Sequence, residues 1–104
     1  MITAIVRYQP ARKFSVEEAA QMMRSGAENM FKGVPGLHGK QFCYDAETGQ
    51  GLSVYLWESR EVAEGFFSEA FIDNFRSMLG CTPEIEYWPT MAFVDNRNGE
   101  VLPA

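Results

Sequence analysis

The chain has 104 residues, of which 9 are basic and 14 are acidic, and its formal net charge is -5. A chain of this length is typical of one domain, so we expect a single domain over residues 1–95 and a C-terminal tail over residues 96–104. The acidic balance and the scattered Lys and Arg residues argue against binding to nucleic acid or to an anionic membrane surface.

No stretch reaches the roughly 18 apolar residues of a membrane-spanning helix. The first ten residues alternate like a strand instead of forming the apolar region of a signal peptide, so we expect a cytoplasmic protein. Cys43 and Cys81 lack the spacing of a zinc site, and a single His does not complete one. We therefore expect two reduced structural thiols and no metal.

The N-terminal third of the chain predicts one strand and one helix. Residues 2–8 alternate, with apolar side chains on both faces, which is typical of a strand covered on both sides. Ser15 and Glu18 have the spacing of a capping box, where a helix begins. Apolar residues then recur every three or four positions up to Phe31, and Gly33 can adopt the left-handed conformation that ends a helix.

The middle of the chain predicts a hairpin. Residues 37–45 form a second strand, residues 46–51 a polar loop that contains Gly, and residues 52–57 a third strand. In the third strand aliphatic side chains alternate with Ser53, Tyr55 and Trp57. This strand therefore has an aliphatic face and a mainly aromatic face, and we expect both to be covered.

The remaining segments predict two helical pieces and a last strand. Ser59 and Ser68 are suitable helix caps, and Gly80 can end the second piece. Residues 84–94 alternate like one long strand that Pro89 interrupts, as at a sheet edge or a bulge. The polar tail is rich in turn residues, and we assign it no fixed element.

The resulting element order, βαββαβ, predicts an α+β, ferredoxin-like fold: a four-stranded antiparallel sheet with helices on one face. The other face of the sheet then lacks a cover. The composition is 46% hydrophobic, more than a small monomer buries easily. A second copy of the chain would supply that cover, so we expect a homodimer.

Four motifs carry a resemblance to a known family: VPGL at 34–37, YDAETGQ at the hairpin, VYLWESREVAEGFF at 54–67, and PEIEY before the last strand. Over residues 1–95 the chain resembles the dimeric α+β barrel superfamily. Within it, the chain is most similar to the antibiotic biosynthesis monooxygenase-like proteins, in particular the small bacterial monooxygenase-like members. The resemblance implies a homodimer whose two sheets pack face to face, with a pocket between sheet and helices in each subunit.

The aromatic residues of the middle segment are the candidate substrate-binding residues. Trp57 ends the third strand beside Tyr55, and Phe66 lies on the inner face of the next helix, so these rings can form a wall on which a flat aromatic molecule stacks. Tyr44 can offer a hydroxyl group to such a molecule. For each of these residues, packing in the core is the alternative interpretation.

Three polar residues are the candidate catalytic residues. His38 is the only imidazole and the side chain best suited to proton transfer near neutral pH. Arg7, in an otherwise apolar strand, and Arg76 are cations that can stabilise a substrate anion, although a salt bridge is the alternative role for Arg7. By the resemblance, Arg76 replaces the His that binds heme iron in heme-degrading relatives, and an arginine has no free lone pair for iron.

The resemblance implies a monooxygenase that needs no bound cofactor and oxidises a small aromatic, phenolic or quinol-type molecule with O2. Two other function classes stay open. One is a non-enzymatic, stress-associated dimer that binds a small apolar ligand, and the other is a polyketide cyclase or isomerase. Fold alone does not select among them.

Overall fold

The computed structural model describes residues 1–103 and confirms the predicted α+β, ferredoxin-like architecture. One antiparallel sheet, in the order β2-β3-β1-β4, contains the strands β1 (Ile2–Tyr8), β2 (Leu37–Asp45), β3 (Gln50–Trp57) and β4 (Glu84–Pro89). The helical segments are α1 (Val16–Gly26), a π-helix (Ala27–Phe31), α2 (Arg60–Phe66) and α3 (Glu69–Leu79). A separate two-stranded hairpin contains β5 (Phe93–Asp95) and β6 (Glu100–Leu102).

Strand register separates the two faces of the sheet. Ala4 pairs with Tyr55, and both side chains are buried against the helices together with Trp57. Ile5 pairs with Val54 on the opposite face, which no helix of the described chain covers. The aromatic face of β3 is thus the helix-covered face, and its aliphatic face is open.

Hydrogen bonds at the N-termini of the helices confirm the predicted caps. The Glu18 amide donates to Ser15 Oγ at 3.1 Å and the Ser15 amide donates to Glu18 Oε1 at 3.1 Å, which completes the capping box. The hydroxyls of Ser59 and Ser68 accept bonds from the amides three residues on, so α2 and α3 are two separate pieces. Gly80, with φ +68°, ends α3 as expected.

The first helix differs from its predicted form. The apolar spacing predicts one helix up to Phe31, but the regular α-helix ends at Gly26 and continues as the π-helix. The amide of Lys32 donates to the carbonyl of Ala27, five residues earlier, at 2.9 Å. A π-turn adds one residue to the turn and changes the direction in which the following side chains point.

The C-terminal segment also differs from its prediction. The expected strand over 84–94 is divided into β4 and β5, and the tail, to which the sequence assigned no fixed element, contains β6. The Asp95 carboxylate closes the turn by accepting bonds from the amides of Arg97 at 3.0 Å and Asn98 at 3.2 Å. The predicted domain boundary after residue 95 falls inside this hairpin and stays a prediction, and Ala104 lies outside the described residues.

Two further expectations from the sequence concern membrane-spanning helices and the two cysteines. Among residues 1–103, no helix is long and apolar enough to cross a membrane. Both cysteines are free, but Cys43 is exposed, which corrects the expectation that both are buried structural thiols. Its strand pairing with Leu52 places it on the open face of the sheet.

Gly51 leaves the space that the ring of Tyr8 occupies. The two residues are paired across β1 and β3, and a Cβ atom at position 51 would overlap the Tyr8 ring. The ring of Phe75 packs edge-on against Tyr8, with 5.0 Å between centroids, and restricts its movement. We therefore expect Gly51→Ala to lower the free energy of unfolding in urea by about 2 kcal/mol.

Gly65→Ala is the matched control, because an added Cβ there meets nothing within 4 Å and Gly65 lies in α2. That variant should gain up to about 1 kcal/mol from helix propensity. Equal stability of Gly51→Ala and the unmodified chain would contradict the packing of Tyr8 over Gly51.

Candidate functional site

An aromatic layer fills the space between the sheet and the helices. Tyr55 and Trp57 of β3 stack with 5.7 Å between ring centroids and planes 7° apart. Phe66 lies 5.1 Å from Trp57, and Phe67 lies 5.0 Å from Tyr55. We define the aromatic layer as Phe31, Tyr55, Trp57, Phe66, Phe67 and Phe71.

The aromatic layer brings together three of the four candidate substrate-binding residues, Tyr55, Trp57 and Phe66. Trp57 is 0% and Tyr55 2% exposed, so both rings are covered by protein atoms. The indole Nε1 of Trp57 is buried without a hydrogen-bond partner among the described residues. A buried donor without a partner costs about 1–3 kcal/mol.

Lys40 lies at the β2 edge of the aromatic layer and is the residue that sequence reasoning missed. Its Nζ atom lies 3.4 Å from the ring centroid of Phe31, 3.8 Å from that of Phe42 and 4.5 Å from that of Tyr55. No carboxylate of residues 1–103 forms a salt bridge with it. The amine is thus surrounded mainly by aromatic surface.

The three rings reach Lys40 from three different elements. Phe42 is two residues along β2 and therefore on the same face of the strand, and Tyr55 is the cross-strand partner of Lys40 in β3. Phe31 is the last residue of the π-helix. A π-helical turn is often found at functional sites, and here it supplies the ring nearest to the amine.

Burial lowers the pKa of the Lys40 ammonium to about 7, because the charged form loses its hydration. The faces of the surrounding rings attract a cation and oppose this effect, by about 0.5–2 kcal/mol for such contacts. Desolvation is the larger influence. Burial thus makes the neutral amine of Lys40 far more accessible near neutral pH than that of an exposed lysine.

A pocket of about 250 Å³ gives access to this amine. His38, the candidate proton-transfer residue, lines the same pocket and is exposed. The pocket residues are Ala27, Phe31, Lys32, Gly33, Leu37, His38, Gly39, Lys40 and Phe42. The pocket thus combines an apolar wall with an amine and an imidazole.

A second, larger groove of about 740 Å³ lies where β1 ends, beside the β2–β3 hairpin. It is lined by Arg7 and Tyr44, which the sequence analysis singled out, and by Tyr8, whose pKa is raised by burial. The Tyr44 hydroxyl accepts a hydrogen bond from the Phe14 amide at 2.9 Å. This open groove can also accept a ligand.

The structure does not bring the three candidate catalytic residues together. Arg7 forms an ion pair with Glu86, and this contact lowers the pKa of the Glu86 carboxyl. The salt bridge that was the alternative role for Arg7 is therefore present. Arg76 donates from Nε to Thr82 Oγ1 at 2.9 Å, next to the groove, whereas His38 lines the smaller pocket.

The described residues contain no group of three or more His, Cys, Asp or Glu side chains that could hold a metal ion.

The sequence did contain one signal for Lys40. Lys40, Phe42 and Tyr44 alternate along β2 and must share a face, so a covered aromatic face implies a covered lysine. That signal concerns burial and does not show which rings surround the amine.

Comparison with solved structures finds the same fold in two proteins. A protein from Deinococcus radiodurans, described as a "putative antibiotic biosynthesis monooxygenase", superimposes with a TM-score of 0.63 at 13% identity, over 91% of this chain and 97% of that one. Rv0793 from Mycobacterium tuberculosis gives 0.55 at 14% identity, over 91% of this chain and 100% of that one. The chain shares the fold of these two proteins.

This finding confirms the resemblance inferred from the sequence motifs, at the level of the fold. No family model matches the sequence, and no curated protein matches it significantly. Identities of 13% and 14% do not transfer residue roles. The chemistry of this chain must therefore be argued from its own side chains.

The burial of Lys40 predicts a pH-dependent cost in stability. Between the folded pKa of about 7 and the unfolded value near 10, the unfolded chain binds more protons, so stability increases with pH in this window. Lys40→Met keeps an apolar stem without the charge. We expect it to be more stable than the unmodified chain at pH 6, with an advantage that shrinks by about 2 kcal/mol at pH 9.

Urea denaturation of both proteins at pH 6, 7.5 and 9, at one protein concentration, measures this difference. Lys13→Met is the control, since the Lys13 ammonium is exposed and donates to the Glu47 carbonyl at 2.8 Å. A pH-independent difference between Lys40→Met and the unmodified chain would show that the amine is hydrated in the folded protein.

Proposed function

We propose that the chain is a monooxygenase that oxidises a small aromatic, phenolic or quinol-type molecule with O2 and needs no bound cofactor. One observation carries this proposal: the Lys40 amine lies over the rings of Phe31, Phe42 and Tyr55, and Lys40 lines a pocket. Burial at this position lowers the pKa of the amine. The likeness in fold to the protein described as a "putative antibiotic biosynthesis monooxygenase" supports the same reaction class.

The reaction requires an electron-rich substrate anion. A phenol or an activated methylene group loses a proton to the neutral Lys40 amine, and the ammonium that forms lies close to the new anion and stabilises it. The aromatic surroundings strengthen this attraction because they exclude water. Lys40 thus acts as the general base, and its aromatic neighbours Phe31 and Phe42 bind the substrate ring.

The anion then transfers electrons to O2. For an activated methylene, the balanced reaction gives a ketone and one water molecule from R2CH2 and O2. One oxygen atom enters the substrate, the other becomes water, and the substrate supplies all four electrons. No external reductant is required for this stoichiometry.

The candidate residues from the sequence analysis have different roles in this proposal. His38 lines the pocket and is the second candidate for proton transfer. Tyr55, Trp57 and Phe66 form the packed wall behind Lys40. Arg7, Arg76 and Tyr44 lie in or beside the large groove, so they would act only on a substrate that extends there.

O2 consumption with a panel of hydroquinones and anthrones tests the activity. We expect turnover above a boiled control, with kcat/KM rising with pH around a midpoint near 7 as Lys40 loses its proton. Lys40→Met should lose about 100-fold or more in kcat, the usual contribution of a general base.

Lys13→Met serves as the control, because Lys13 is remote from the pocket lining, and its activity should equal that of the unmodified chain. No turnover with any compound of the panel would contradict the monooxygenase proposal. Thermal stabilisation by the same compounds without product would instead favour the non-enzymatic binding protein.

We also propose that the protein is a homodimer. The open face of the sheet carries Ile5, Val54 and Leu56, and Trp88 on the same face is 58% exposed. The C-terminal hairpin adds exposed Phe93, Val94 and Val101. A second copy is the occupant that matches both apolar surfaces, since burial of such area drives association.

Light scattering at micromolar concentration should give about twice the chain mass of 11.8 kDa. Val54→Asp places a charge in the middle of the open face and should shift the mass toward that of one chain. Val16→Asp is the matched control, because Val16 is 65% exposed on α1, and it should leave the mass unchanged. A monomeric mass for the unmodified chain would disprove the homodimer.

A further inference from the structure

The three lysines of the chain have different surroundings. Lys13 donates to a backbone carbonyl at 2.8 Å, and Lys32 lies 3.6 Å from the Glu28 carboxylate. Both side chains are exposed, so their ammonium groups remain hydrated. Of the three, Lys40 alone lies over aromatic rings, with Nζ at 3.4 and 3.8 Å from two ring centroids, and it lines a pocket.

These surroundings remove the main obstacle to reaction of a lysine amine with a carbonyl group. The nucleophile is the neutral amine, and an exposed lysine contains roughly one part in 2,500 of it at pH 7. A lysine desolvated in an apolar pocket is activated because the pocket disfavours its protonated form. Lys40 meets this condition by its position among Phe31, Phe42 and Tyr55.

The pocket also has the dimensions and chemistry for a carbonyl compound. Its volume of about 250 Å³ accepts a small aromatic molecule, and the rings of Phe31 and Phe42 offer apolar surface. His38 lines the same pocket and can exchange protons with a bound oxygen atom. An aromatic aldehyde would therefore place its ring on the apolar wall and its carbonyl carbon near the amine.

We propose that Lys40 is a nucleophilic lysine that forms an imine with small aromatic aldehydes or ketones bound in the pocket it shares with His38. This activity goes beyond the proposed oxygenation and does not depend on it. It assigns the pocket a second ligand class, carbonyl compounds, and a covalent mode of binding.

The step is balanced without an oxidant or a reductant. The lone pair of Nζ attacks the carbonyl carbon, the π electron pair moves to the carbonyl oxygen, and the first nitrogen proton passes to that oxygen, which gives a carbinolamine. His38 then gives a proton to the hydroxyl group, which leaves as water. The nitrogen lone pair forms the C=N bond, and the second nitrogen proton returns to His38. The amine and the carbonyl compound thus give one imine and one water molecule.

Groups that titrate around Lys40 are few. Tyr55 faces it from β3, His38 comes from β2, and Lys32 follows the π-helix, but no carboxylate lines the pocket. Burial raises the pKa of Tyr55, so its hydroxyl stays neutral over the range of the experiment. Within residues 1–103, no carboxylate forms a salt bridge with Lys40 that would hold it in its protonated form.

Reductive trapping with benzaldehyde and cyanoborohydride tests the proposal on the full chain. At pH 7 we expect one rapidly formed benzyl adduct, located by peptide mapping at Lys40, at least about 10-fold faster than the adducts at Lys13 and Lys32. The rate of adduct formation should increase with pH and reach half of its maximum near pH 7. The N-terminal amine of Met1 is resolved from the lysines in the same map.

Lys40→Met should lose the rapid adduct, and Lys40→Arg should lose it as well although the charge is kept. Lys13→Met is the matched control and should retain it. Because the map of the unmodified chain already compares three lysines, the test does not depend on the folding of a variant. Labelling at Lys13 and Lys32 ahead of Lys40 would overturn the proposal.

The same labelling in air and under nitrogen separates this inference from the oxygenase proposal. Trapping requires no O2, so equal rates in the two atmospheres are expected. A protein that traps benzaldehyde at Lys40 but consumes no O2 with the phenolic panel would support the imine chemistry and disprove the oxygenation. The reverse result would disprove the imine chemistry alone.

Discussion

Packing of Tyr55 and Trp57 against the second helix is the interaction on which the other parts of the structure depend. The two rings stack 5.7 Å apart, and Phe66 and Phe67 cover them from α2. Large aromatic side chains contribute several kcal/mol when they are buried, and their pairs add about 0.5–1.5 kcal/mol. This layer fixes α2 on the sheet and fills the centre of the fold.

Because the centre is filled, the pocket beside Lys40 and the groove beside the hairpin lie at its margins. The smaller pocket opens beside β2 and the larger groove beside the β2–β3 hairpin. The smaller pocket has the more unusual chemistry, since it places an amine on aromatic surface. A methionine at position 40 would pack there at lower cost, whereas a lysine brings a desolvation penalty together with reactivity near neutral pH.

The proposed chemistry and the proposed dimer contact lie on opposite faces of the sheet. Lys40 and the aromatic layer lie on the helix-covered face, and Ile5 and Val54 lie on the open face. Alternation along each strand keeps these two sets of side chains apart. A substitution on the open face can therefore change association without touching the pocket, and a substitution at Lys40 can change chemistry without touching the open face.

The sequence by itself determined the order of elements, because the signals for it are local. The hydroxyls of Ser15, Ser59 and Ser68 cap helices by bonding amides three residues away, and Gly80 ends a helix through its own backbone conformation. Alternation also placed Tyr55 and Trp57 on one face of β3, but it did not decide that this face, which contacts Phe66, is the one that the helices cover. The π-helix and the C-terminal hairpin could not be predicted from the sequence, because the local spacing of apolar residues is nearly the same with and without them.

Only the tertiary structure decided the environment of Lys40. Its position in β2 shows that it shares a face with Phe42, but the three rings come from β2, β3 and the π-helix. Strand register brings Tyr55 opposite Lys40, and the wider turn of the π-helix brings Phe31 over it. The desolvation that makes this amine reactive is therefore produced by residues far apart in sequence, and no local pattern contains it.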